Sequence, residues 1–509
     1  MMRRPAARGL AVTPRAAVPG AVVLALVIVF AAAWATRPGP AQVAAASGQR
    51  VAVTSVTRSC PPPAQGSGAS RISMIAMSGT AGSGSTGTAT FSGVLAAPAG
   101  TGTGTGVGAK KPAATKTPSA AGAKPVTVTS PDAVATVTAP GGGGAAVSAS
   151  GQMAEGFEAE QTDASGTGVV SCTHPGSDMW FVGTGAADGA AKVWLYLMNT
   201  GGIAASADVT ILTDTGQQNG LTSAITVAPD QFVAENVAPY VQGSQAVAIH
   251  VQAGTGQVAA SVWEGGASGG AWLPQANAPA TSLVIPGLTV ASSAAKLFVV
   301  VPGATDSQLK VTAYTPAGAS AQFPGAPVDA TAGAATPLAL NSLGASAAGL
   351  RLTSNVPVVA GVLVPGAGIG SFTTAVAPVT EQGVVAANPS GRGVTVGLLL
   401  TAPSAAATAE ISVISADGTV TTPAGDQNVT VAAGHTLAVA VPGPAGSGGK
   451  PYAIVVTPRA GSGPLYAARA VTSGTGGLSA PLSSLLPVAS AMTEITLPPA
   501  DNSYTTIFP

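Results

Sequence analysis

The pattern of apolar and polar positions divides the chain into one long apolar segment and many short alternating ones. The segment from Ala16 to Ala35 carries no charge, and residues 21–35 are apolar without a break. Twenty such residues at a helical rise of about 1.5 Å each match a hydrocarbon core of about 30 Å. The pattern therefore predicts a membrane-spanning helix at 16–36, preceded by a basic tail at 1–15.

The charges around this segment predict its orientation. Four arginines precede it, and the first acidic residue of the chain is Asp132. Basic residues concentrate on the cytoplasmic side of membrane helices, so we expect a single-pass plasma-membrane protein with a cytoplasmic N-terminus and its bulk outside. The alternative is a signal peptide cleaved near Ala35, which would release a secreted protein.

Beyond a linker at 37–47, short alternating segments predict β-strands. Residues 50–59 alternate apolar and polar side chains, as a half-buried strand does. Similar segments continue as far as residue 172. They predict an N-terminal β domain at 48–176, interrupted by a flexible Lys/Pro/Ala-rich loop at 100–124.

The rest of the chain repeats itself with a period of about one hundred residues. Three stretches, at 195–216, 297–318 and 397–418, align without gaps, and each ends in glycine. Each stretch has the pattern of a strand, a turn of small residues, an alternating strand and a closing turn. With their flanks they give about seven strands per repeat, the strand count and size of an immunoglobulin-like domain.

The predicted fold is therefore all-β. We expect three tandem immunoglobulin-like β-sandwiches at 177–279, 280–379 and 380–480, followed by an extended tail at 481–509. Placed end to end, such domains would form a rod. A β-propeller is the alternative, although its blades of 40–50 residues would require two unlike blades per repeat.

Composition and charge narrow the choice of partners. Only 8% of the residues are charged. Twelve of the 20 Lys and Arg residues precede Asp132, whereas the part from there onward has 20 acidic and 8 basic residues. This acidic, extracytoplasmic bulk argues against nucleic-acid binding. The eight basic residues in 37–124 either contact anionic lipid or wall polymers or belong to a solvated linker.

The two cysteines, Cys60 and Cys172, both follow the membrane segment. In an oxidising compartment they predict one disulfide. The chain-entropy model assigns a cross-link over about 110 residues a stabilisation of about 4–5 kcal/mol. No CxxC motif is present, and the three histidines are scattered, so neither a metal nor a cofactor is predicted.

No catalytic residue is predicted from the motifs. Residues 266–270 match G-x-S-x-G around Ser268, but no helix-forming sequence follows them. Residues 82–87 match G-x-G-x-x-G within a low-complexity run. Asp178 and Asp188 flank the first strand of repeat 1, where two carboxylates could bind Ca²⁺, although Asp188-Gly189 is also an ordinary turn.

The candidate ligand-contacting residues are two tryptophans and two arginines. Trp263 and Trp272 bracket the glycine-rich loop and would form an aromatic platform for sugar rings if exposed. The alternative is that they close the core of a sheet. Arg459 and Arg469, beside a GSGP turn, are either a polar contact site or ordinary surface charges.

Several short motifs carry a resemblance to a known family. They are WFVG at 180–183, LYLMNTGG at 195–202, WLP at 272–274 and GSGPLYAAR at 461–469. With this order and spacing, the chain resembles an actinobacterial family of single-pass secreted proteins classed as a domain of unknown function. The resemblance implies a cell-envelope location. It implies no established activity, so no functional residue is carried over.

The sequence thus predicts a non-enzymatic cell-envelope scaffold or binding protein that contacts wall polysaccharide or another envelope protein. The first alternative is an accessory subunit of a membrane glycosyltransferase or wall-processing enzyme. The second is a secreted hydrolase whose active residues come from different repeats.

Overall fold

The structure is a computed structural model. It describes residues 49–497, with gaps at 65–67, 79–85, 98–125, 140–141, 164–167, 187–191, 220, 222, 267–268, 290–294, 324–326, 341–342, 344–346 and 367. The predicted tail at 1–15, membrane segment at 16–36 and linker at 37–47 lie outside the described residues. Within the described ranges, no helix is both long enough and apolar enough to span a bilayer.

Strands make up the regular structure of the described residues, apart from four single-turn 3₁₀ helices, so the all-β prediction is confirmed. The 3₁₀ turns are Gly151–Met153, Ala238–Tyr240, Asp426–Asn428 and Gly477–Ser479. Residues 52–495 form one compact unit.

The N-terminal part contributes two sheets to this unit. The sheets are numbered 1 to 8 in the order in which they pack on one another. Sheet 1 has the strand order β2-β7-β4-β5, and sheet 8, which packs on sheet 1, has the order β6-β3-β8-β9. The strands are β1 (Gln49–Ala52), β2 (Ser55–Cys60), β3 (Ser70–Ile75), β4 (Ala89–Ala96), β5 (Val126–Val128), β6 (Ala135–Ala139), β7 (Gly144–Ser150), β8 (Glu158–Thr162) and β9 (Val169–Ser171). The sequence patterns did not predict β8, because Ala159 is the one apolar residue in this strand.

Repeat 1 also folds into two sheets. Sheet 2 has the order β15-β11-β17-β18, and sheet 3 has β10-β16-β12, with β13 and β14 both paired to β12. The strands are β10 (Asp178–Gly183), β11 (Lys192–Asn199), β12 (Ala205–Thr213), β13 (Gly216–Gln218), β14 (Ile225–Val227), β15 (Gln231–Asn236), β16 (Val247–Thr255), β17 (Ala259–Gly266) and β18 (Gly269–Leu273).

Repeat 2 has the same strand order, in sheet 4 (β24-β20-β25-β26) and sheet 5 (β19-β25-β21, with β22 and β23). One long strand, β25, passes through both sheets. The strands are β19 (Ala280–Leu288), β20 (Lys296–Val300), β21 (Ser307–Thr315), β22 (Gly318–Ala321), β23 (Val328–Ala330), β24 (Ala335–Ala339), β25 (Ala348–Val364) and β26 (Ser371–Thr374).

Repeat 3 follows the order again, in sheet 6 (β32-β28-β34-β35) and sheet 7 (β27-β33-β29, with β30 and β31). The predicted tail supplies β35, and β36 (Glu494–Leu497) pairs with β1 in a separate two-stranded sheet. The strands are β27 (Gly383–Asn388), β28 (Val394–Ala402), β29 (Ala407–Ile414), β30 (Val420–Thr421), β31 (Val429–Val431), β32 (His435–Ala440), β33 (Tyr452–Pro458), β34 (Tyr466–Ser473) and β35 (Leu482–Val488).

The glycine that closes each aligned stretch has a structural reason. Gly216, Gly318 and Gly418 have φ angles of +102°, +112° and +87°. Residues with a Cβ rarely adopt these values, whereas glycine does so readily. Each glycine lies at the turn that follows the third strand of its repeat, so the repeated sequence encodes a repeated turn.

The eight sheets of residues 52–495 pack in a closed order. Sheets 1 and 2 are also hydrogen-bonded to each other through the parallel pair β4–β15, and sheets 4 and 5 share β25. Hydrophobic clusters join sheets 1 and 2, 2 and 3, 3 and 4, 4 and 5, 5 and 6, 6 and 7, 7 and 8, and 8 and 1. Both faces of each sheet are therefore covered, as the nearly continuous apolar run Leu297–Val301 illustrates. This side-by-side packing differs from the end-to-end rod expected from the sequence.

Candidate central binding site

Two adjoining cavities lie where the four sheet pairs meet. The larger has a volume of about 330 Å³ and the smaller about 260 Å³. Val169, Trp272 and Leu485 line both cavities. Each cavity takes lining residues from the N-terminal pair and from all three repeats, so the site exists only when all four sheet pairs are assembled.

A charged cluster forms one wall of the larger cavity. The Arg58 guanidinium donates from Nη2 to Glu158 Oε1 at 2.5 Å and to the Phe157 carbonyl oxygen at 3.1 Å. Its Nε donates to the same carbonyl at 3.3 Å, and its Nη1 lies 3.4 Å from Nδ1 of His174. All three nitrogens of this buried guanidinium are thus engaged by the protein.

The electrostatics of this wall follow from burial. Burial raises the pKa of Glu158 to about 7, even though the adjacent Arg58 lowers it. Burial, reinforced by Arg58, lowers the pKa of His174. Desolvation disfavours the charged form of each group, so the wall holds one permanent cation and a carboxyl group that titrates near neutral pH.

Glu160, two residues along β8 from Glu158, also lines the larger cavity. Its two carboxylate oxygens accept hydrogen bonds from the backbone N–H groups of Ala386 (3.1 Å) and Ala387 (3.0 Å). These groups belong to β27, so the carboxylate connects the N-terminal part to repeat 3. Burial raises the pKa of Glu160, and Arg469 opposes that effect.

The predicted disulfide is confirmed and borders the same cavity. Cys60 and Cys172 are bonded, with their Cα atoms 4.3 Å apart and their positions 112 apart in the sequence. Both residues are buried in the core between sheets 1 and 8. Cys172 lines the larger cavity, so the bond fixes β2 and the segment after β9 at the wall that carries Arg58.

The two candidate platform tryptophans are buried, as in the alternative in which they close the core of a sheet. Trp263 and Trp272 are cross-strand partners in the β17–β18 hairpin, each 8% exposed. A side chain at Gly265 or Gly270 would overlap the Trp263 ring, with a Cβ 2.1 Å from it. The glycines therefore make room for the indole. Trp272 remains a candidate ligand-contacting residue because it lines both cavities.

The two predicted arginines do not form one contact site. Arg459 is an exposed side chain that pairs with Glu410 at 2.6 Å and donates to the Gln427 carbonyl oxygen. Arg469 is fully buried between sheets 6 and 7, where its Nη1 donates to Ser484 Oγ at 2.9 Å. Its Nε and Nη2 have no hydrogen-bond partner among the described residues.

The remaining sequence motifs contribute little to the site. Ser268, Asp188 and most of the glycine motif at 82–87 lie outside the described residues. Gly266 pairs directly with Gly269 in a tight hairpin, which differs from the strand–helix turn of a nucleophile elbow. His250 stacks on Trp180 and hydrogen-bonds to Asp178 at 3.0 Å, which occupies one oxygen of that predicted Ca²⁺ ligand.

Sequence reasoning missed Arg58, Glu158, Glu160 and Ser261. One available signal was the alternation of two glutamates around Ala159 in a chain with few charges. In a strand, such alternation places both carboxylates on one face and the apolar residues on the other. No local signal identified Ser261, whose position at the cavity depends on the packing of sheet 2.

The fold and site define an all-β protein of eight sheets, each of four or five strands, with a cavity of about 330 Å³ where its repeats converge. Residues 126–442 match DUF5719, a family of unknown function, over more than half of the chain, and the protein belongs to that family. Neither the curated proteins nor the solved structures include a significant match to this chain.

Proposed function

We propose that this protein is a non-enzymatic binding or scaffold protein of the cell envelope, held outside the plasma membrane by residues 16–36. The observation that carries the proposal is the Cys60–Cys172 disulfide. Such bonds persist in oxidising, extracytoplasmic compartments. The apolar segment from Ala16 to Ala35 supplies an anchor in the retained form, and cleavage near Ala35 would yield a secreted form.

The proposed architecture combines the two folds considered for the sequence. Each repeat has the strand number and the paired sheets of an immunoglobulin-like sandwich. The outer faces of the pairs also pack on one another in a closed order, as the blades of a propeller do around a central axis. We favour a ring of sheet pairs over separate tandem domains because the clusters between pairs are as buried as those within them.

The proposed partners are wall polysaccharide or another envelope protein. The basic residues between 37 and 124 would contribute electrostatic attraction to anionic polymers, at about 1 kcal/mol each near a charged surface. The accessory-subunit role follows if the partner is a membrane glycosyltransferase or a wall-processing enzyme. Rigid packing of the repeats supports a scaffold, because it fixes the geometry of any partner bound to them.

A hydrolase is the second candidate function, because Glu158 and Glu160 line one cavity and the pKa of Glu158 is about 7. A carboxylic acid that is protonated near neutral pH suits general acid catalysis. Two observations favour a structural role instead. Glu158 is paired with Arg58, and both oxygens of Glu160 accept backbone hydrogen bonds.

Co-sedimentation of the full-length protein in detergent with isolated cell walls, across a salt series, tests the binding proposal. Binding that disappears at high salt indicates the basic segment, since exposed charges are screened. Binding that persists indicates the sheet pairs. If the protein neither sediments with walls nor cross-links to an envelope protein in cells, the proposal is wrong. Glycan hydrolysis that Glu158→Gln abolishes would establish the hydrolase instead.

A further inference from the structure

We infer that the larger central cavity binds a small amphipathic amine, with its apolar body among aliphatic and aromatic side chains and its ammonium group at Glu158. This goes beyond the proposed contact with a wall polymer or an envelope protein, because it assigns a small-molecule site in the interior of the ring.

The size and lining of the cavity suit a small apolar body. Its volume of about 330 Å³ falls at the lower end of the range of about 300–1,000 Å³ for small-molecule sites. Most of its wall is apolar, and the side chains come from several sheets. They include Val170, Phe181, Leu273, Val376, Val384 and Leu486.

The charged residues that line the larger cavity determine which charge the polar end of a ligand can carry. Arg58 is the one cation among the lining residues that the structure describes, and its Nε, Nη1 and Nη2 are engaged by Phe157, His174 and Glu158. An anionic head would therefore meet two carboxyl groups and no available cationic donor. Glu158 Oε1 accepts from Arg58, and the second carboxylate oxygen, Oε2, is the acceptor that we assign to the cationic donor.

Ser261 supplies an independent sign that a ligand is expected. Its side chain is 2% exposed and lines the larger cavity. Its Oγ has no hydrogen-bond partner among the described residues. Buried hydroxyl groups are normally satisfied, so this one marks a position for a polar group of a ligand or for an ordered water molecule.

The smaller cavity provides a route to this site. It adjoins the larger one at Val169, Trp272 and Leu485. Its lining includes the exposed glycines Gly269, Gly270 and Gly368. A ligand that enters here would pass Trp272 before it reaches Glu158.

The test is calorimetric titration of the full-length protein with three probes of equal chain length: octylamine, octanol and octanoate. We expect saturable 1:1 binding of octylamine, with octanol at least fivefold weaker and octanoate at least tenfold weaker. Equal binding of octanoate and octylamine would overturn the head-group assignment. Absence of saturable octylamine binding would overturn the site and leave ordered water as its content.

Variants locate the binding. Ala377 is exposed and lines the larger cavity, so Ala377→Trp should block it and abolish octylamine binding. The matched control is Ala460→Trp at an exposed turn remote from the lining residues, which should bind normally. Glu158→Gln should weaken octylamine about tenfold and leave octanol unchanged. Octylamine binding that survives Ala377→Trp would place the amine elsewhere.

The same variants separate this inference from the proposed function. If Ala377→Trp loses octylamine but still sediments with walls, the site and the wall contact are distinct and both stand. If the wild-type protein binds octylamine but neither sediments with walls nor cross-links to an envelope protein, the proposed function fails and the cavity site stands. If it sediments with walls but binds no octylamine, only the inference fails.

Discussion

The N-terminal sheet pair (sheets 1 and 8) and the sheet pair of repeat 3 (sheets 6 and 7) share an architecture but are stabilised differently. Six of the 15 residues in the N-terminal core cluster are alanines, against four of 21 in the repeat 3 cluster. Alanine buries little apolar area, so the N-terminal core gains less from burial per residue. The N-terminal pair adds a disulfide, whereas the repeat 3 pair encloses the Arg469 guanidinium.

This comparison shows that two sheet pairs of the same architecture can be stabilised by different interactions. A covalent bond lowers the entropy of the unfolded chain, and a well-filled core gains directly from burial. The two pairs meet where Glu160 of β8 binds β27, so the buried charges belong to their junction. The predictions below test these supports in turn.

The largest effect is expected from the disulfide. The double substitution Cys60→Ala with Cys172→Ala should lower the free energy of unfolding by about 4–5 kcal/mol, because the unfolded chain regains the entropy of a long open loop. Denaturant unfolding under non-reducing conditions measures this. The wild-type protein with reductant should unfold similarly to the variant. An unchanged midpoint in the variant would show that the N-terminal core suffices without the bond.

The second effect concerns Arg469. Arg469→Met should lower the free energy of unfolding by about 3 kcal/mol, since it removes the countercharge of buried Glu160. Adding Glu160→Gln should recover part of that loss, because the amide is uncharged but offers one oxygen acceptor to the two backbone N–H groups of β27. A double-mutant cycle measures the recovery. Arg459→Met is the matched control, with an exposed ion pair and an expected loss of about 1 kcal/mol or less. Simple additivity of Arg469→Met and Glu160→Gln would show that the two groups are not coupled.

The third prediction concerns pH. The pKa of Glu158 rises from 4.5 to about 7 in the folded protein, so the folded state binds its proton more tightly than the unfolded state does. Its contribution to the free energy of unfolding is therefore largest below pH 4.5, decreases between pH 4.5 and 7, and is constant above that. Glu264, whose pKa is also about 7, has the same sign. Thermal unfolding from pH 5 to 8 should show a shallower slope for Glu158→Gln than for wild type.

Repeat 3 supplies the contrast for that pH measurement. Hydrogen bonds from Ser415 and Thr419 lower the pKa of exposed Asp417. Its contribution is present above the unfolded pKa of 3.8 and is lost as the pH falls through its lower folded value. Asp417→Asn should therefore leave the slope between pH 5 and 8 unchanged. A change in that range would contradict the assignment of the slope to buried carboxyl groups.

The smallest effect is expected outside the core of repeat 3. Val420 is 54% exposed, so Val420→Thr should change the free energy of unfolding by about 0.5 kcal/mol or less. The matched substitution Val413→Thr, at a residue 2% exposed, buries a hydroxyl group and should cost about 1–3 kcal/mol. Equal effects at the two positions would contradict the core assigned to sheets 6 and 7.

Part of the candidate site could be predicted from the sequence. The pairing of Cys60 with Cys172 followed from two cysteines beyond a predicted membrane segment. Trp263 and Trp272 were candidates from the sequence, and their burial depends on Gly265 and Gly270, which leave room for the Trp263 ring. Arg469 looked like a surface charge beside a turn, whereas β34 places its side chain between two sheets. Burial of a side chain depends on which face is covered, and that is not a local property.

The sequence by itself determined the strands, the turns and the repeat, because alternation and glycine at positive φ act over a few residues. Tertiary structure alone decided that the outer faces of the sheet pairs pack on one another and leave two cavities where they converge. Continuous apolar runs such as Leu297–Val301 and Leu398–Leu400 are buried on both faces. They did not say which sheet covers the second face, since apolar contacts carry little directional information.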